Sequence, residues 1–310
     1  MQQSAEKISV LSAPPLHLQR VQSYAILTLG GIFLGFAPVI VKALPLSADI
    51  SAFYRVALSA PLFLIWALAL PQPGKRKPKT QAGPSLLLYL LAIFFFAADL
   101  GVMHLAIRST NVTIATLFTN CAPFFIGIFG LIGLCERPER SFWIALPAAM
   151  TGIVLLIGIS GFGEGNGSVI GNMTALLAGM LYAAYLVTVR TLRGRGAASG
   201  HIMAAVTLGS TVLLSVLFFM AGAPVPATGE SWLLLLALVL FGQVAGQGLV
   251  TAALQRLPVS SSSLVLLIQP VVAAVLSWLL LNEGLSLLQI FGISLVLISI
   301  FVALRPAGST

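Results

Sequence analysis

The sequence predicts an all-α integral membrane protein, with ten transmembrane helices forming two inverted five-helix repeats around a central cavity. The first observation is composition: the 310 residues are 58% hydrophobic and 8% charged, against about 25% charged in soluble domains. The second is a repeat, because Pro123 and Pro270 each precede a glutamate, Glu136 and Glu283, by 13 residues and lie 147 residues apart. Proline bends a membrane helix. Two matched bends therefore predict two related halves.

Ten apolar runs are long enough to cross a bilayer, which needs about 20 residues per helix. The mean hydropathy of +1.04 fits a chain with almost no soluble part. The predicted spans are Ser23–Leu44, Asp49–Leu70, Pro84–Ala106, Thr110–Gly133, Phe142–Ser160, Ile170–Thr191, Gly200–Gly222, Ser231–Gln255, Val259–Leu281 and Leu285–Leu304.

The glycine-rich segment Gly161 to Ser168 separates five spans from five. Because five is odd, the second repeat enters the membrane upside down relative to the first. The predicted parts are an N-terminal tail of residues 1–22, retained and poorly ordered, a first repeat 23–160, a linker 161–169, a second repeat 170–304 and a C-terminal tail 305–310.

The basic residues predict the orientation. With a cytoplasmic N-terminus, 13 of the 16 Lys and Arg residues fall in cytoplasmic segments, as the positive-inside rule requires. We therefore expect a multi-pass protein of the bacterial inner membrane with both termini in the cytoplasm. The formal charge of +8 is explained by this topology, so no nucleic-acid partner is expected.

The sequence offers no chemistry typical of an enzyme. It contains no HExxH, GxSxG or phosphate-binding loop, and Cys121 and Cys135 lack metal-ligand spacing. No cofactor and no metal site are expected. A channel is disfavoured because no repeated pore sequence or charged ring is present.

At these motifs the chain resembles the drug/metabolite transporter superfamily, in its ten-helix form of two EamA-type repeats. The matching features are the two prolines, the two glutamates, Thr110 to Thr116, Ser260 to Ser263 and Phe53-Tyr54-Arg55. The resemblance implies a basket of ten helices, cytoplasmic termini and outward transport by alternating access. Within the superfamily the chain looks most like bacterial exporters of amino acids, especially aromatic ones.

Asp99 is the only carboxylate well inside a span, and Arg55 lies at a similar depth of about 10 Å. Two interpretations stay open: a buried structural pair, or proton coupling or amine binding by Asp99. His104 lies five residues beyond Asp99, about 140° around a helix, so a relay between them is disfavoured. It is expected to form a hydrogen bond near the helix end, with a role as a proton carrier as the alternative.

Polar and aromatic side chains near mid-membrane are the candidates for substrate binding. Gln243 and Gln247 share a helix face, and so do Tyr182 and Tyr185. The amides either join neighbouring helices or line a wet cavity, and the tyrosines either pack or stack on a flat or apolar substrate. Phe95 and Trp278 are further candidates.

Asn120 and Gln269 lie beside the two predicted bends. An amide there either caps backbone groups released by proline or contacts substrate. Pro123, Pro270 and Pro38 are the predicted hinges.

These observations predict an exporter of small metabolites, with amino acids favoured through the resemblance. The alternative is export of another metabolite or of a toxic organic cation, or proton-coupled antiport of these. The expected partners are a small-molecule substrate and the lipid bilayer. The oligomeric state stays open, a monomer included.

Overall fold

The computed structural model describes residues 16–69, 83–109, 112–157, 169–281 and 284–304. In these ranges the chain is helical between short connections. The helices are α1 Leu16–Ala43, α2 Ala48–Ala69, α3 Leu86–Ser109, α4 Val112–Thr119, α5 Ala122–Leu131, α6 Arg140–Ile157, α7 Val169–Gly194, α8 Ser199–Met220, α9 Gly229–Ala253, α10 Val259–Val265, α11 Ile268–Leu281 and α12 Leu287–Leu304.

The predicted all-helical membrane fold is confirmed. Within the described ranges, nine helical segments are long and apolar enough to cross a membrane, with α10 and α11 counted together as one. The tenth predicted span, Thr110–Gly133, consists of the two shorter helices α4 and α5. Helix α1 begins at Leu16, inside the predicted N-terminal tail. The Arg20 guanidinium carbon lies 5.8 Å from the centre of the Tyr24 ring, one turn further on.

Two spans are broken close to their prolines. The first interruption falls at Asn120 and Cys121, between α4 and α5, and the second at Leu266 and Leu267, between α10 and α11. Pro123 and Pro270 each lie in the first turn of the following helix, where a missing N–H costs no helical hydrogen bond. Proline thus starts the second segment of each broken span. The paired Glu283 lies outside the described residues.

Pro38 behaves differently, because α1 continues on both sides of it without interruption. The structure therefore has no helix break at this predicted hinge. A proline in a helix interior usually causes a bend only.

The contacts between helices are related by a pseudo-two-fold symmetry, in which each half contacts the other in the same way. Helix α1 packs against α9 and the broken span α10–α11 of the second half, and α7 packs against α3 and the broken span α4–α5 of the first. Equivalent helices also pack against each other, α2 against α8 and α6 against α12. Each broken span is therefore held by the first helix of the opposite half.

Glycine makes the closest of these contacts possible. A Cβ on Gly179 in α7 would lie 2.5 Å from the carbonyl oxygen of Phe118, next to the first break. A Cβ on Gly35 in α1 would lie 2.9 Å from the carbonyl oxygen of Gln269, at the second break. Real Cβ atoms essentially never approach so closely, so both breaks are lined by glycine.

The last helices of the two halves also cross at glycine. A Cβ on Gly152 of α6 would lie 2.8 Å from the carbonyl oxygen of Gly292, and one on Gly292 would lie 2.7 Å from that of Gly152. The two backbones touch with no side chain between them.

Helix α9 is not a regular α-helix throughout. Its middle, Leu238–Gln247, is a ten-residue π-helix. π-helical stretches are rare and are found mostly at functional sites. Gly242 and Gly246 lie in this stretch and face Ala37 and Leu34 of α1, so these glycines allow a close contact between α9 and α1.

Candidate functional site

A group of polar side chains meets inside the apolar bundle. We define the central cluster as Arg55 of α2, Asp99 of α3, Tyr182 of α7, and Gln243 and Gln247 of α9. Asp99 is 8% exposed, Gln243 0% and Gln247 4%. The cluster draws on both halves, two residues from the first and three from the second.

Arg55 links α2 to α9 within this cluster. A Cβ on Gly242 would lie 3.9 Å from the Cδ of Arg55, so the arginine stem passes over the glycine beside Gln243. The guanidinium interacts electrostatically with Asp99 and with Tyr182.

Arg55 and Asp99 do not form the direct pair that was one of the two interpretations. No salt bridge within 4.0 Å joins them, although each charge is within electrostatic range of the other. The Nε of Arg55 is buried without a hydrogen-bond partner. A charge in the middle of a membrane helix costs about 2.5–3.5 kcal/mol, and here that cost is not offset by a direct contact.

The amides of the cluster are also unpaired. Both amide atoms of Gln243 and the Oε1 of Gln247 are buried without a hydrogen-bond partner among the described residues. The Tyr182 hydroxyl lies near the side chains of Gln247 and Gln269, but it makes no hydrogen bond within 3.5 Å. Buried polar groups are normally paired, so several unpaired groups in one place indicate a ligand site.

Aromatic rings lie on one side of the cluster. The rings of Tyr182 and Tyr185 are stacked with centroids 6.1 Å apart, and the ring of Phe96 lies 4.8 Å from that of Tyr185. The Tyr185 hydroxyl donates to the sulfur of Met203 at 3.9 Å, and the Thr251 hydroxyl donates to the same sulfur at 3.1 Å. The contact with Met203 holds the Tyr185 hydroxyl in place.

Phe96, and not the predicted Phe95, is the phenylalanine that contacts these tyrosines. Phe95 packs edge-to-face on Phe94. The two candidates lie three and four residues before Asp99, and both spacings place a residue near the same helix face. The sequence could therefore not choose between them, and it gave no signal for Met203 or Thr251.

Other predicted residues lie elsewhere or have a structural role. The Trp278 side chain is 50% exposed, so it is not part of the buried central cluster. Asn120 donates from its side chain to the carbonyl oxygen of Thr116 at 2.8 Å, one turn earlier in the chain. His104 lies in α3, and its side chain is outside the described part.

A second polar group lies at the end of the bundle that carries most of the arginines. We define the basic-end cluster as Glu136, Arg190, Arg193 and Gln255. Arg190 forms a 2.8 Å salt bridge with Glu136 of the other half. Arg193 donates at 2.6 Å to the carbonyl oxygen of Ala197 and at 2.7 Å to the Oε1 of Gln255.

A surface cavity of about 150 Å³ adjoins this cluster. It is lined by side chains of both halves, Glu136, Arg137, Glu139, Ser141, Phe142, Pro258, Ser260 and Ser261. Ser261 also meets the Tyr24 hydroxyl at 2.9 Å, which connects α1 to α10. The two halves are thus joined at the basic end by polar contacts.

The described residues offer no set of ligands for a metal. They contain no group of three or more His, Cys, Asp or Glu residues that could hold an ion. Cys121 and Cys135 are both free.

Comparison with known proteins agrees with the architecture. A solved crystal structure of a protein aligns with a TM-score of 0.77 at 17% identity, covering 92% of this chain and 96% of the other. The threonine/homoserine exporter RhtA of Escherichia coli (strain K12) is 26% identical over 216 residues, which is 67% of this chain and 68% of RhtA. The uncharacterized transporter YetK of Bacillus subtilis (strain 168) is 27% identical over 207 residues, or 63% of this chain and 61% of YetK.

The sequence also matches a family twice. The EamA-like transporter family matches residues 22–158 and again residues 169–305. The two matches cover most of the chain, and their boundary falls between α6 and α7. The chain therefore belongs to the EamA-like transporter family, as a membrane protein built from two EamA repeats.

Proposed function

We propose that this protein exports small metabolites, amino acids among them, across the bacterial inner membrane. The observation that carries the proposal is the central cluster, in which polar groups from both halves stay unpaired inside an apolar bundle. Its similarity to a threonine/homoserine exporter supports amino acids as the substrate class. The stacked rings of Tyr182 and Tyr185 suit an apolar or aromatic side chain.

Alternating access is the proposed mechanism. The two broken spans each face the first helix of the opposite half, and the breaks lie close to Pro123 and Pro270. A change at one break opens the central cluster to one side of the membrane, and the equivalent change at the other opens it to the opposite side. Both termini lie in the cytoplasm in this arrangement, the orientation that the basic residues favour.

Transport of an organic cation, or proton-coupled antiport, is the second candidate. It is favoured by Asp99, which has no salt bridge to Arg55 and would be free to bind a cation or a proton. Under this alternative a pH gradient drives transport in the wild type, and Asp99→Asn removes the dependence on the gradient. Transport that is unchanged by pH in both proteins rules out proton coupling at Asp99.

The test is transport by the purified chain in liposomes. Labelled threonine, leucine and phenylalanine are compared with a purine and a cationic dye, with and without a pH gradient. We expect counterflow of at least one amino acid above the level of empty liposomes. Uptake of only the dye supports the second candidate, and conversion of a substrate into a new compound would indicate an enzyme.

A further inference from the structure

The central cluster contains one positive and one negative side chain that could have neutralised each other. Arg55 and Asp99 are close enough to interact electrostatically, yet no salt bridge within 4.0 Å joins them. The Nε of Arg55 is buried without a partner, as are the Nε atoms of Arg190 and Arg193 at the basic end, but those two guanidinium groups have partners at their other nitrogens. Each charge is therefore left available to a group that is not part of the protein.

The chemistry of the two side chains defines what that group is. A guanidinium presents donors in a planar fork that matches a carboxylate. A carboxylate accepts hydrogen bonds from an ammonium group and compensates its charge. A ligand that carries both groups compensates both buried charges at once, whereas a ligand with one group leaves the other charge uncompensated.

We propose, resting on the proposed function, that the central cluster is a site for zwitterions in which Arg55 binds the carboxylate and Asp99 the ammonium group of an α-amino acid. Gln243 and Gln247 supply the neighbouring amide donors and acceptors that now lack partners. The rings of Tyr182, Tyr185 and Phe96 take the side-chain end.

This arrangement makes a specific prediction about substrate analogues. An amine without the carboxylate leaves Arg55 unpaired, and an acid without the ammonium group leaves Asp99 unpaired. Both should bind at least tenfold more weakly than the amino acid with the same side chain. A site for organic cations would instead prefer the amine.

The experiment uses two matched sets of probes on wild-type protein in liposomes. One set is L-phenylalanine, phenethylamine and 3-phenylpropanoate, and the other is L-leucine, isopentylamine and 4-methylpentanoate. Each compound competes with the labelled amino acid of its set in counterflow. An amine that competes as well as the amino acid overturns the proposal in favour of a cation site, and an equally effective acid overturns it in favour of an anion site.

Single variants then assign the two charges. Asp99→Asn should weaken the binding of the amino acid at least tenfold and make the acid the better competitor of the two one-charge probes. Arg55→Gln should instead make the amine the better competitor. If Asp99 and Arg55 had a purely structural role, each variant would weaken the binding of all three probes by the same factor. The conservative variants Asp99→Glu and Arg55→Lys should recover part of the affinity.

The matched controls are Glu230→Gln and Arg140→Gln, which remove exposed charges and should leave the competition unchanged. If wild-type protein transports amino acids but neither central variant changes the preference, the zwitterion site is wrong and the proposed function stands. If no amino acid is transported while another metabolite is, the amino-acid substrate fails together with the site. Where a variant does not fold, the wild-type probe sets still decide.

Discussion

The glutamine and tyrosine side chains of the central cluster differ in hydrogen bonding from those at the basic end of the bundle. Arg193, Gln255 and Tyr24 at the basic end all have hydrogen-bond partners at 2.6–2.9 Å. In the central cluster, by contrast, the amide of Gln243 and the hydroxyl of Tyr182 are buried without one. The Nε atoms of Arg55, Arg190 and Arg193 lack a partner in both places, so the contrast rests on the amide and the hydroxyl.

This difference in hydrogen bonding predicts that the two groups of residues affect different properties, stability at the basic end and substrate binding in the centre. A paired buried group contributes to the folded state, whereas an unpaired one costs about 1–3 kcal/mol until something binds it. Replacement at the basic end should therefore lower stability and spare selectivity, and replacement in the centre should do the reverse. The predictions for the glutamines and the tyrosines compare one residue type in the two places.

The largest effect on stability is expected for Arg193→Gln. The variant loses the two short hydrogen bonds to Ala197 and Gln255, and bonds to charged groups are worth about 1.5–3 kcal/mol each. The free energy of unfolding should fall by about 3 kcal/mol, measured by thermal unfolding in detergent. An unchanged unfolding temperature would show that the basic-end cluster does not hold the fold.

The glutamines give the next comparison. Gln243→Leu removes a buried amide that has no partner, so stability should stay constant or rise by about 1 kcal/mol. Amino-acid transport should fall at least about tenfold, or about 1.4 kcal/mol.

Gln255→Leu is the matched control for Gln243→Leu. It removes the acceptor of Arg193, so stability should fall by about 1.5 kcal/mol or more while the order of preferred substrates stays the same. If both variants lost stability equally, Gln243 would be a structural residue.

The tyrosines should show a smaller effect. Tyr182→Phe removes a hydroxyl without a partner and should slow transport about threefold, which corresponds to a weak hydrogen bond to the substrate. Tyr24→Phe removes the contact with Ser261 and should lower stability by about 1 kcal/mol. Transport and thermal unfolding are measured for both, and equal transport by Tyr182→Phe and wild type would exclude the hydroxyl from the site.

The smallest effect is expected for Glu136→Gln. Its salt bridge with Arg190 is 2.8 Å long, but the Glu136 side chain is 44% exposed, and exposed pairs contribute about 0–1 kcal/mol. The difference from wild type should shrink further at high salt, where charges are screened. A loss that persists unchanged in 1 M salt, a concentration at which screening extends only about 3 Å, would point to packing instead.

The sequence predicted the spans well because length and apolar composition are set locally by the bilayer. The breaks were also predictable, since a proline inside an apolar run, as at Pro123 and Pro270, indicates an irregular helix. Polar residues are rare in these spans, and the sequence alone therefore singled out five candidates that the fold brings into one region: Gln243, Gln247, Tyr182, Asp99 and Arg55.

What the sequence could not predict depends on contacts between distant segments. The π-helix in α9 has no periodic signal of its own, and the outward face of Trp278 is decided by packing. Whether Arg55 and Asp99 pair directly depends on the relative rotation of α2 and α3. Likewise, the salt bridge between Glu136 and Arg190 joins two segments that only the fold brings together.

The crossing of α6 and α12 at Gly152 and Gly292 has a consequence for how the protein can vary. Most parts of a duplicated chain exist twice, so a change in one repeat leaves its counterpart intact. Here each glycine faces the backbone of the other, and a single methyl group added to either one displaces both repeats together. The crossing therefore occurs once in the molecule, and no equivalent contact elsewhere can replace it.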